Sequence, residues 1–195
     1  KTNSKKLMIV FHGKGDSIVP FMDFQEELKL YEFNFLLLNA PRKFLDGFSW
    51  YGEPPYQESG VQKIRQKMFK LMAELEEQGW NPSNITLFGF SQGCLIASDL
   101  ALHYPKRFSG VVGISGYFHF QPRFRKFISN VATQTPWFLS HGNKDDVLPI
   151  EDTLYGVNKL RNLGINIEWF ESNKDHNLEE YEYPIIKSWV ENRYN

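Results

Sequence analysis

Cysteine is nearly absent from this chain: Cys94 stands alone among 195 residues. A single thiol excludes an internal disulfide and a cysteine-built metal cluster, and it fits a reducing compartment. A cytoplasmic setting is therefore the expectation, although a chain that begins at Lys1 leaves room for a leader upstream. Neither sign of charge is in excess, since 22 Lys and Arg face 23 Asp and Glu for a formal charge of −1. A dedicated nucleic-acid binder needs a basic surplus, so nucleic acid is not an expected partner. Long apolar runs are missing too. The longest, Leu7-Met8-Ile9-Val10-Phe11, is five residues, where a spanning helix needs about 20. No integral membrane association is expected, and no repeat, low-complexity tract or linker interrupts the chain.

What the chain does have is a hydrophobic share of 42%, with 17 Phe, 9 Tyr and 5 Trp. A chain this long buries roughly 70% of its unfolded surface, enough for one substantial core. Apolar runs of strand length at residues 7–11, 33–38, 84–90, 110–115, 137–140 and 166–171 alternate with helix-period segments. Those helical segments lie at 21–30, 61–77, 92–103, 150–163 and 177–191, and residues 39–56 read as a long loop. Strands separated by helices pair in parallel. The expected architecture is one α/β domain over residues 1–195, an open, mostly parallel sheet with helices on both faces and no large cap domain. In such sheets chemistry gathers where the carboxyl ends of the strands meet their loops.

The third strand runs into Gly89-Phe90-Ser91-Gln92-Gly93, a G-x-S-x-G pattern. A serine on a sharp strand-to-helix turn sits in strained backbone, and small neighbours two residues away let the turn close. The turn lifts the hydroxyl above the sheet and leaves the N–H of Gln92 at a helix N-terminus, ready for an oxyanion. Chance supplies such a pentapeptide in about one chain in fifteen of this length, so context decides. Here an apolar strand precedes it and a helix with Leu95, Ile96, Leu100 and Leu102 follows.

A serine nucleophile needs a base, and the base an orienting acid, in the chain order Ser, Asp or Glu, His for this turn. The fifth strand ends in His141-Gly142-Asn143-Lys144-Asp145-Asp146, and the sixth in Glu171-Ser172-Asn173-Lys174-Asp175-His176. Both loops fall at the right rim in the right order. His12 and His141 each close a strand before a glycine and read as loop anchors. His103 lies in the helix after the serine, and His119 precedes any candidate acid. That leaves His176 as base, with Asp145 favoured over a turn-forming Asp146 and with Asp175 solvated. Cys94, one helical turn beyond Ser91, reads as a small buried residue.

The segments Phe11-His12-Gly13-Lys14-Gly15-Asp16, Asn39-Ala40-Pro41, Trp50-Tyr51, Gly89 to Gly93, Gly116-Tyr117 and His141-Gly142 through Pro149 occur in that order. So arranged, the chain resembles the α/β-hydrolases, more narrowly the phospholipase/carboxylesterase family that includes acyl-protein thioesterases. The match runs from about Lys6 to the last helix. The resemblance implies a serine hydrolase of small-molecule esters or thioesters, with no metal or organic cofactor, working as a monomer or weak homodimer. It places nucleophile, acid and base at Ser91, Asp145 and His176, and oxyanion donors at the backbone N–H groups of Lys14 and Gln92. Two departures stand out. Lys14 replaces a usually apolar residue, and Asn173-Lys174-Asp175 precedes His176 where the family's histidine follows a glycine closely.

Phe44, Phe48, Trp50, Tyr51, Phe118 and Phe120 fall on loops at the same rim. Of these, Phe48, Trp50, Tyr51 and Phe118 are the candidates for lining an apolar acyl groove; alternatively such rings roof the core. Lys14 either draws in an acidic substrate group or simply faces solvent. The basic, aromatic stretch Gln121-Pro122-Arg123-Phe124-Arg125-Lys126 reads as a solvated loop, with contact to a membrane surface or an acidic partner as the alternative. Two other classes compete with an esterase: a non-catalytic binding protein on the same fold, and a peptidase with the same triad. Peptidase relatives often add a large screening domain, for which this chain has no room.

Overall fold

The computed structural model describes residues 3–119 and 128–194. The first strand, β1 (Lys6–Phe11), is apolar because both of its faces are covered: Leu7, Ile9 and Phe11 enter one core and Met8 and Val10 the other. Side chains alternate along a strand, so a strand between two layers reads as an unbroken hydrophobic run. A 3-10 turn at Val19–Phe21 and the four-residue α1 (Phe24–Glu27) lead to β2 (Phe33–Leu38). Two three-residue strands, β3 (Arg42–Phe44) and β4 (Gly47–Ser49), pair as a separate antiparallel hairpin. Thereafter helices and strands alternate: α2 (Gln57–Glu77), β5 (Ile85–Phe90), α3 (Gln92–His103), β6 (Gly110–Ile114), β7 (Trp137–Gly142), α4 (Ile150–Arg161), β8 (Ile167–Ser172) and α5 (Tyr183–Glu191).

Six strands form one parallel sheet in the order β2-β1-β5-β6-β7-β8. The expected α/β sheet is therefore present. Helix α2 offers a single stripe, Val61, Ile64, Met68, Met72 and Leu75, at the three-and-four spacing of an amphipathic helix. That stripe packs with α3 and α4 on one face of the sheet. On the other face α5 contributes Ile186, Trp189 and Val190, joined by Phe24 and Leu28. Each such buried side chain contributes about 1.5–3 kcal/mol. Helix α3 is buried from Gln92 to Leu102, so its apolarity is not confined to a stripe.

Strand register brings the reactive ends together. Phe11 lies opposite Gly89, Phe90 opposite Ile114, Ile114 opposite Ser140, and Gly142 opposite Ser172. The loops after β1, β5, β6, β7 and β8 therefore open at one edge of the sheet.

Three local expectations differ from the structure. The stretch 39–56, read as a loop, contains the β3–β4 hairpin. All of β3 is exposed, so no alternation marks it, and its turn holds Leu45 at φ +53°, where glycine or asparagine is usual. The helix read at 21–30 contracts to α1, closed by Lys29 at φ +53°. The last helix begins at Tyr183 instead of 177, after a 3-10 turn at Glu180–Glu182, with proline in its first turn.

One close approach ties α3 to β1. A Cβ built on Gly93 would lie 2.1 Å from the carbonyl oxygen of Phe11, and one on Gly89 would lie 2.4 Å from that of Gly93. Backbone cannot yield as a side chain can. Gly93→Ala should therefore cost about 2–3 kcal/mol and lower Tm by about 5–10 °C in a thermal melt; an unchanged Tm would contradict this packing.

Candidate active site

Ser91 is the hinge between β5 and α3. Its backbone sits at φ 50°, ψ −117°, outside the ordinary allowed regions, and is held there by its N–H donating to Ile114 O at 2.9 Å and its carbonyl accepting from Cys94 N–H at 3.0 Å. Its Oγ lies 2.9 Å from His176 Nε2. The next residue, Gln92, is buried and works twice. Its side-chain oxygen accepts from the Trp50 N–H at 2.8 Å and its amide donates to Tyr51 O at 3.3 Å, fastening the 49–51 segment to the helix. Its backbone N–H, first in α3, has no partner among the described residues.

His176 follows β8 and Asp145 follows β7. The imidazole Nδ1 stands 2.8 Å from Asp145 Oδ2. Asp145 Oδ1 takes two backbone N–H groups, Val147 at 3.1 Å and Leu148 at 2.8 Å, and the carboxylate is fully buried. With Nδ1–H directed at Asp145, Nε2 is left to accept the Ser91 hydroxyl proton. The structure thus brings Ser91, His176 and Asp145 into one hydrogen-bonded chain, while Asp146 and Asp175 are exposed.

The other described histidines have different duties. His12 donates from Nδ1 to Gly13 O at 2.6 Å and accepts at Nε2 from the Ala40 N–H at 3.0 Å, a neutral tautomer that burial favours by lowering its pKa. His141 donates from Nε2 to Leu148 O at 2.8 Å and stacks on Trp169 at 6.2 Å; burial lowers its pKa as well. That Nε2 also lies 3.3 Å from Asp145 Oδ2, so His141 braces the acid from behind. His103 lies beside Asp99 in α3, and His119 is exposed.

The loop after β1 is set by the hairpin. Gly15 N–H donates to Phe48 O at 2.7 Å and Phe48 N–H to Asp16 O at 2.8 Å, and a Cβ on Gly47 would come within 2.3 Å of Gly15 O. This pairing leaves the Lys14 backbone N–H without a partner among the described residues. The loop also abuts the serine, since a Cβ on Gly13 would lie 3.5 Å from Ser91 Cβ. The Lys14 side chain pairs with Glu53 and lies 4.7 Å over the Phe44 ring. Its charge is thus already met, which weakens the idea that it draws in an acidic substrate group.

The rim aromatics divide. Trp50 and Tyr51, read from the sequence as lining an acyl groove or else roofing the core, are only 2% and 3% exposed. Trp50 Nε1–H donates to His12 O at 2.8 Å, and the Tyr51 hydroxyl meets that of Tyr117 at 2.5 Å. These two belong to the core beneath the rim, because indole and phenol there find both apolar packing and a polar partner. Phe48 is half-buried under Lys43, and Phe118 packs toward Trp137 and Gly156. Phe120, Phe124, Phe127 and the basic stretch 121–126 lie outside the described residues.

Open space lies elsewhere. A pocket of about 320 Å³ is bounded by His176, Phe90, Phe21, Phe24 and Tyr183, with Asp16 and Glu27 among its lining. None of these except His176 was singled out from sequence as a site residue; the signals were Phe90 inside the G-x-S-x-G motif and Asp16 at the end of the Phe11–Asp16 segment. A larger hollow of about 540 Å³ opens by Leu7, Phe33 and Trp80, at the amino ends of β1 and β2, away from Ser91. Among the described residues no three His, Cys, Asp or Glu side chains gather as a metal site would require.

A buried ion pair secures the histidine loop. Lys174 Nζ donates to Glu182 Oε2 at 2.6 Å and to Asn177 O at 2.9 Å, so it spans His176 from one side to the other. Glu182 in turn accepts from Ser140 Oγ and from the Glu179 N–H, and both charges are essentially fully buried. Burial lowers the Lys174 pKa, against which Glu182 pulls. The sequence analysis does not connect Lys174 with Glu182, and the partnership exists only in three dimensions. Lys174→Met strands a buried carboxylate and should cost about 3–5 kcal/mol in denaturant unfolding, whereas Lys174→Met with Glu182→Leu should recover much of that. A single variant as stable as the parent would contradict the pairing.

The comparisons with known proteins bear on the family and the fold. The model of the phospholipase/carboxylesterase family matches residues 1–191. An acyl-protein thioesterase 1 from Emericella nidulans is 30% identical over 138 residues, 69% of this chain and 58% of its own. A probable inactive carboxylesterase from Oryza sativa subsp. japonica is 30% identical over 135 residues, 69% of this chain and 55% of its own. The matched part therefore spans little more than half the length of these relatives. In structure, Arabidopsis thaliana SOBER1 superposes with a TM-score of 0.91 at 24% identity, covering 97% of this chain and 99% of that one. A Bacillus cereus carboxylesterase gives a TM-score of 0.83 at 18% identity, covering 99% and 90%. With a family match over nearly its whole length, this chain belongs to the phospholipase/carboxylesterase family of α/β-hydrolases.

Proposed function

We propose that the chain hydrolyses carboxylic esters through an acyl-Ser91 intermediate. The observation that carries this reading is the unbroken sequence Ser91 Oγ, His176 Nε2 at 2.9 Å, His176 Nδ1, Asp145 Oδ2 at 2.8 Å, with the Lys14 and Gln92 backbone N–H groups unpartnered among the described residues. In acylation, Ser91 Oγ bonds to the carbonyl carbon while its proton passes to His176 Nε2. The bond to the departing alkoxide breaks, and His176 returns the proton to that oxygen. Water then attacks the acyl-serine, giving one proton to His176; the carboxylic acid departs and Ser91 recovers its proton. Asp145 keeps the tautomer and stabilises the imidazolium.

The Lys14 and Gln92 N–H groups would receive the oxyanion, each such donor being worth about 10²–10³ in rate. Because the contact is through backbone, the departure at Lys14 leaves it intact. A second reading, acyl-protein thioesterase, is favoured by the name of the Emericella nidulans relative. A non-catalytic role has a parallel in the rice relative named as inactive, but the intact chain of three side chains argues for turnover here. The reading includes a reducing, cytoplasmic setting, supported by a sequence with the single cysteine Cys94. No helix among the described residues is long and apolar enough to cross a membrane.

The test is Ser91→Ala. Hydrolysis of p-nitrophenyl acetate should fall by at least about 10³-fold, with Tm retained, and a fluorophosphonate probe should label the parent but not the variant. A peptide anilide should be a far poorer substrate than the ester. Retained esterase activity in the variant would refute the assignment.

A further inference from the structure

The pocket beside His176 has a particular chemistry. Phe21, Phe24, Phe90 and Tyr183 supply its rings, Asp16 and Glu27 contribute carboxylates, and among the described residues no lysine or arginine lines it. The rings are held at steep angles, Phe21 to Phe24 at 80° and Phe24 to Tyr183 at 77°, while Phe90 leans on His176 at 5.2 Å. Ring faces carry negative quadrupole charge and attract cations, more strongly where water is displaced. Neither carboxylate has a cationic partner among the described residues. Asp16 Oδ1 takes only the Ser17 N–H at 2.7 Å, and Glu27 takes the Tyr183 hydroxyl. Burial, and then Glu27, push the Tyr183 phenol up to about 12, so it stays a donor.

Position gives the pocket its role. The acyl carbon is bonded to Ser91 and its oxygen faces the Lys14 and Gln92 N–H groups, so the group that receives the proton from His176 Nε2 departs along the imidazole. His176 and its neighbours Phe90, Asn177 and Leu178 line this pocket, which places it against the imidazole. We propose that the pocket selects esters or thioesters whose departing alcohol or thiol carries a positive charge, an amine or quaternary ammonium a few bonds from the scissile bond. This rests on the hydrolase reading above and deepens it.

The experiment compares acetylcholine with 3,3-dimethylbutyl acetate, identical in acyl group and shape but with carbon in place of the charged nitrogen. The kcat/KM ratio should favour the cation by about tenfold and shrink as ionic strength rises. Asp16→Asn and Glu27→Gln should each bring the ratio toward one, and because a ratio is read, partial loss of folded enzyme cancels. A ratio near one, or a high ratio that survives both substitutions, would overturn the proposal. Turnover of p-nitrophenyl acetate by the parent separates the two readings. With turnover but no cation preference only the pocket assignment fails, whereas without turnover the hydrolase reading fails and carries this one with it.

Discussion

The first turn of α3 lies directly against the end of β1, and every polar contact at the site depends on that packing. Gly93 lets the helix backbone rest on the Phe11 carbonyl, and Gly89 lets the strand turn beneath the helix. The consequence is that Ser91, raised on a strained backbone, faces the loop after β1 at the distance of a single side chain. The backbone N–H groups of Lys14, in that loop, and of Gln92, beside the serine, have no partner among the described residues. The strain at Ser91 persists because a parallel sheet and a buried helix over-determine it.

Around that contact the structure spends its buried polar groups on holding loops still. His12 joins the first loop to Ala40, Gln92 fastens the 49–51 segment, His141 braces Asp145, and Lys174 with Glu182 locks the turn carrying His176. Each arrangement withdraws polar atoms from water, and each is stable only because hydrogen bonds replace what is lost. A site that forms an oxyanion and an imidazolium benefits from such fixity, since dipoles already in place need no reorganisation when charge appears. Lys174 of this pair lies two residues before His176, in the turn that carries the histidine. The same loop is here held by charge and hydrogen bonds.

Much of this was legible before any coordinates. The six sheet strands announce themselves because a buried parallel strand must be apolar throughout, and α2 because its stripe repeats at helical spacing. Ser91, Asp145 and His176 can be named because parallel topology sends every strand's carboxyl end to one rim and the turn chemistry orders them. Less legible were β3 and β4, whose side chains carry no periodic signal, and the depth of Trp50 and Tyr51. Loop residues look like surface residues until the fold above them is known.

By itself, then, the sequence determined what local chemistry can encode: alternation, helical stripes, a glycine-flanked serine, and the order of acid and base along the chain. The tertiary structure decided what depends on distance between remote segments. It determined that Lys174 finds Glu182, that Lys14 is met by Glu53, that two tryptophan-loop aromatics sink into the core, and that four rings and two carboxylates surround a space next to His176. Burial and pairing are properties of the packed chain, and no spacing along the sequence specifies them.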